Sequence, residues 1–150
     1  MIYLTMDNYQ EIIEHCQKEY PKEVCGILAG KVYTEDIRLS SAKDPVRRDG
    51  IVTKLYKMIN ISESPETCYF MNPEEQLKIF KEMRNLGIKM LGIYHSHSRS
   101  SAYPSQRDCE MVFYPEASYI IVSLKDFNNP DVRAFKIIEG KIDEEKIDMR

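Results

Sequence analysis

The apolar positions near the start of the chain follow a helical period. Tyr9, Ile12, Ile13, Cys16 and Tyr20 fall on one face, with charged and amide side chains between them. Asp7 is the expected N-cap of that helix, with Gln10 at the capping-box position, and Pro21 ends it. The period then changes. VCGILAG is a short apolar run bounded by glycine, as in a buried strand, and another strand is expected near residues 37–40. In IVTKLYKMINIS the alternation places Ile51, Thr53, Leu55, Ile59 and Ile61 on one face, with Lys57 as the exception.

NPEEQLKIFKEMRNLG carries both ends of a second helix. Asn72 caps it, Pro73 takes the first turn, Glu75 completes a capping box and Gly87 closes the end. IKMLGIYH follows as a buried strand that runs into two histidines. PSQRDCEMVF reads as a short helix, and SYIIVSL and VRAFKII as strands separated by the turn KDFNNPD. EGK then turns the chain into IDEEKIDM, which suits either an edge strand or a tail. Strands interleaved with two or three helices predict one domain over residues 1–150, an α/β or α+β sandwich of sheet and helices.

Composition removes some functions without choosing one. A chain 43% hydrophobic and 30% charged can bury a core and is not disordered. Its net charge of -3 offers no clustered basic face for nucleic acid, and KDPVRRDG, interrupted by acids, reads as a solvated loop. No apolar run approaches the ~18 residues of a membrane span, and MIYLTMDNYQ meets an acid and an amide too early for a signal peptide. Cys16, Cys25, Cys68 and Cys109 form no C-x-x-C pair and are expected as reduced, mostly buried thiols. The expected location is the cytoplasm, with no nucleic-acid or membrane partner.

The chemistry concentrates in HSHSRSSAYPSQRD. His95 and His97 are two apart, so on an extended backbone both imidazoles reach one side while Ser96 points away. Asp108 is a candidate third ligand. Two imidazoles and a carboxylate leave a fourth position open, the arrangement of a catalytic zinc site. Ser105 is close enough to offer a donor to an oxyanion, and a general base has to come from elsewhere in the chain. The same residues also fit a plainer account: a strand end, a polar loop, and a helix capped by Ser105 with Asp108 three positions on.

The stretch resembles the JAMM (MPN+) metalloprotease motif, H-x-H, seven residues, S-x-x-D. His95, His97, Ser105 and Asp108 occupy its fixed positions. PKEVCGILAG resembles the family's upstream segment, with Glu23 in the place of its glutamate and Gly26 following. The order of elements, from the first helix to the strand near Ile138, is also similar to the family's compact α/β sandwich, itself related to the cytidine deaminases. The resemblance implies Zn2+ held by His95, His97 and Asp108. It makes Glu23 the residue that holds and deprotonates a water, and Ser105 the donor that stabilises the tetrahedral intermediate. Ser98 departs from the pattern, since JAMM proteins often carry proline directly after the second histidine.

The resemblance further implies hydrolysis of a peptide or isopeptide bond after the C-terminal Gly-Gly of a ubiquitin-like or sulfur-carrier protein. The short chain is most similar to the prokaryotic stand-alone branch, and a homodimer is compatible with it. Two other functions differ in their marks. A non-catalytic MPN-type scaffold would lack the ligands, and a deaminase-like hydrolase would carry H-x-E with P-C-x-x-C, which this sequence does not contain. His15 and Cys109 are given no ligand role, and Cys25 is expected as a small buried strand residue. Arg99 and Tyr103 are expected as polar surface beside the site.

Overall fold

A computed structural model describes the backbone of residues 1–36 and 46–150. The strand expected near residues 37–40 lies outside the described residues. The elements run β1 (Ile2–Leu4), α1 (Met6–Glu19), β2 (Cys25–Asp36), β3 (Val46–Met58), α2 (Pro73–Leu86) and β4 (Lys89–His97). They continue as α3 (Gln106–Glu110), β5 (Ser118–Ser123), β6 (Asp131–Ile138), β7 (Lys141–Glu145) and β8 (Ile147–Met149).

The strands form one mixed sheet of order β7-β6-β5-β4-β2-β3-β1-β8. β4 is central, antiparallel to β2 and parallel to β5. Each face of the sheet has its own core. Ile12 and Cys16 of α1 pack with Leu28, Tyr94, Ile120 and Val122 on one side. Met83 of α2 packs with Ile27, Ile93, Tyr119 and Ile121 on the other, joined by the partly buried Ile79 and Phe80. The helices thus sandwich the sheet as expected, because each presents one apolar stripe.

The helix ends are set by local chemistry, with two corrections. Thr5, not Asp7, caps α1 by accepting the Asn8 N–H at 3.0 Å, and Asp7 sits in the first turn, where a negative charge meets the positive end of the helix dipole. Asn72 does cap α2, and Gly87 closes it at φ 69°. Glu75, however, completes no box there: its Oε1 accepts the Ile59 N–H at 3.0 Å and ties the helix to the chain leaving β3.

β3 corrects two further expectations. KDPVRRDG is not all loop, since its residues from Val46 onward belong to β3. Among its described side chains the buried ones are Val52, Tyr56 and Met58, whereas Thr53 and Lys57 are exposed. Ile59 and Ile61 lie beyond the strand and are exposed. The predicted face fails for two reasons. A register shift opposite Ala29 and Gly30 changes the phase of the strand, and both faces of the sheet are covered, so alternation does not separate inside from outside.

Gly26 is required by a close approach: a Cβ there would lie 2.1 Å from the Tyr94 ring. That ring crosses the strand so that its hydroxyl meets His15 Nδ1 at 2.7 Å. IDEEKIDM resolves into strand rather than tail. β7 pairs antiparallel with β6, and after Lys146 the chain continues as β8, parallel to β1. One stretch therefore serves both ends of the sheet order.

Candidate metal centre

His95 and His97 close β4, and their pleat sends both rings to one side, as their spacing predicts. Their Nε2 atoms are 3.1 Å apart. Asp108, in the first turn of α3, meets both: Oδ1 lies 3.3 Å from His95 Nε2, and Oδ2 lies 3.0 Å from His97 Nε2. Asp108 is held there by a capping box. Ser105 Oγ accepts the Asp108 N–H at 3.0 Å, and the Ser105 N–H donates to Asp108 Oδ2 at 2.9 Å. The plainer account of this segment, a capped helix after a loop, is therefore correct in its geometry, and the cap is what aims Asp108 at the histidines.

Glu23 comes from the connection between α1 and β2. It is 5% exposed rather than solvent-facing. One ligand atom each from Glu23, His95 and His97 lie within 4.8 Å of one another. Burial pushes the Glu23 carboxyl up to about 7; Asp108 adds to the rise and His97 opposes it. Burial also works against the charge of Asp108, but the bonds from His95 and His97 outweigh it and hold that carboxyl well below the usual range. His95 is lowered by its burial, while the Asp108 bond raises His97 despite burial.

The donor atoms fit a cation. His97 Nδ1 is 2.8 Å from the Ser101 carbonyl, which only accepts, so Nδ1 carries the proton. Without a proton on Nε2, His97 faces the Asp108 carboxylate and a second imidazole nitrogen, and lone pairs directed at one another call for a shared positive charge, either that proton or a metal ion. Two imidazole nitrogens and a carboxylate make up a common zinc donor set.

Residues 5–138 match Prok-JAB, the prokaryotic homologues of the JAB domain. The chain belongs to this family. The CysO-cysteine peptidase of Mycobacterium tuberculosis is 29% identical over 149 residues, covering 99% of this chain and 91% of that protein. A desampylase of Haloferax volcanii is 32% identical over 124 residues, covering 80% of this chain and 78% of that protein. The solution structure of a Desulfitobacterium hafniense protein matches with a TM-score of 0.81 at 35% identity, over 100% of this chain and 93% of that one. The JAB/MPN resemblance drawn from the motif and the α/β fold drawn from the order of elements are thus both correct.

Around this JAB-type site lie residues that sequence reasoning passed over. The Tyr69 ring stacks on His95, with centroids 4.7 Å apart. Asn60 is a hub: its Nδ2 donates to the Glu23 and Cys68 carbonyls, and its Oδ1 accepts from Ser62 and Phe70. A polar residue inside an apolar alternation was the available signal for Asn60; Tyr69 gave none. Cys25 is buried, and burial pushes its thiol up to about 12, which keeps it protonated. Arg99 is exposed, and Tyr103 packs edge-on against Phe135. A groove of about 350 Å³ lined by Lys22, Glu23, Lys57, Ile59 and Asn60 opens beside the site. The larger cavity, about 720 Å³ around Lys89 and Leu91, sits at the opposite end of β4 from the histidines. No helix among the described residues is long and apolar enough to cross a membrane.

Proposed function

We propose that the chain, read as one domain over residues 1–150, is a zinc metallopeptidase. It hydrolyses the peptide or isopeptide bond after the C-terminal Gly-Gly of a ubiquitin-like or sulfur-carrier protein. The observation that carries this reading is the convergence of His95, His97 and Asp108 beside a buried Glu23, in a family whose relatives are named CysO-cysteine peptidase and desampylase. His95, His97 and Asp108 would hold the metal. Zinc so bound polarises a carbonyl and lowers the pKa of water to about 7.

The chain's own groups supply the proton chemistry. Glu23, buried beside the histidine pair, accepts a proton from the attacking water and returns it to the leaving amine. Ser105 has its hydroxyl proton free to donate, because its oxygen serves as the acceptor in the cap. Capping and oxyanion stabilisation therefore use different parts of one hydroxyl. A Gly-Gly tail, lacking side chains, suits a narrow approach to a buried centre.

The test is direct. Purified protein should hold about one zinc per chain and release the extension from a carrier protein carrying residues beyond Gly-Gly. Glu23→Gln should keep its zinc and lose cleavage by at least about 100-fold. Full activity in that variant would end the proposed role of Glu23, and absence of zinc from the wild-type protein would end the metallopeptidase reading.

A further inference from the structure

The strand that carries the imidazoles also grips the carboxylate's backbone. Ser96, fully buried, accepts the Val24 N–H on its Oγ at 2.9 Å. Its own N–H donates to the Val24 carbonyl at 3.2 Å. Ser98, also buried, donates its hydroxyl to the Pro21 carbonyl. These two anchors bracket Glu23. From the other side, the Glu23 N–H donates to the Pro65 carbonyl at 2.7 Å, and Asn60 Nδ2 donates to the Glu23 carbonyl at 2.9 Å.

Glu23 itself lies in neither helix nor strand, so no regular ladder fixes its position. The hydrogen bonds to its neighbours are what place it. His95 and His97 face the carboxylate, while Ser96 holds Val24 directly after it and Ser98 holds Pro21 two residues before it. We propose that Ser96 and Ser98 are positioning residues that set Glu23 against the histidine pair, an inference that rests on the peptidase reading above. Ser98 stands where JAMM proteins often carry proline, which has no hydroxyl to offer. The anchor at Pro21 therefore depends on this serine. A shift of about 1 Å in a catalytic group can cost roughly 100-fold in rate, which is why such anchors matter more than their bond count suggests.

Amide hydrogen exchange on chelator-treated protein tests the anchors without any activity. Ser96→Ala should speed exchange at Val24 by about tenfold or more, and Ser98→Ala should do so at Glu23, with the amides of Ile120 and Ile121 unchanged. In zinc-loaded protein both variants should lose about tenfold in kcat, with KM and zinc content unchanged. Ser96→Thr and Ser98→Thr, which keep the hydroxyl, should recover most of the loss. Unchanged exchange at both amides overturns the inference. So does faster exchange with full kcat, or a loss carried by KM. Wild-type protein that fails to cleave any extended carrier overturns the peptidase reading instead, and the exchange result still decides whether the serines hold the Glu23 segment.

Discussion

Glu23 buries a carboxyl whose folded pKa, about 7, stands above its ordinary 4.5. The sign of the consequence follows from linkage. The stability this group contributes is full below about pH 4.5 and is lost as pH rises through about 7, because the folded state resists giving up the proton. In metal-free protein, Glu23→Gln should therefore gain stability over wild type between about pH 5 and about pH 8, by of order 3 kcal/mol, measured by urea unfolding. An equal gap at both pH values would show that Glu23 does not titrate in this range. The site was unevenly legible at this scale. Ser105 and Asp108 were readable because capping is a contact three residues long. The burial of Glu23 was not, because Asn60 and Pro65 reach it, and Ser96 reaches its neighbour Val24, from far along the chain.

Among the elements, the helices were readable and the strand faces were not. Asn72, Pro73 and Gly87 act on the backbone beside them, so the sequence states where α2 begins and ends. β3 lies in a sheet covered on both sides: Leu55 packs into one core and Tyr56 into the other, and hydropathy cannot tell them apart. Gly26 shows how closely β2 and its neighbours fit. Gly26→Ala should cost about 1–3 kcal/mol, the usual penalty for overpacking a filled core, because the fully buried Tyr94 ring has nowhere to move. Denaturant melts would register this as a lower midpoint at constant slope. An unaltered midpoint would mean that the ring does not rest on that strand. Loss of Tyr94 from its place would also release His15, its partner across the same face of the sheet.

The whole molecule depends on its last stretch more than its length suggests. β7 covers β6, and β8 covers β1, with only Lys146 between the two strands. Lys146 itself accepts the Ile2 N–H on its carbonyl at 3.1 Å. A chain ending at Gly140 would expose two strand edges, and unpaired edges recruit other strands. Such a truncation should associate more strongly than the intact chain as concentration rises, measured by light scattering; a truncated protein that scatters as the intact chain does would show that the edges are protected in another way. The pairing of Ile2 with Ile147 also joins residues from almost opposite ends of the sequence. Contacts of such long separation carry the largest loop-closure cost and form slowly. During synthesis, then, the β1 border of the sheet stays open until β8 has left the ribosome, and a chain stalled before β7 would emerge with most of its elements folded and both borders still unsealed.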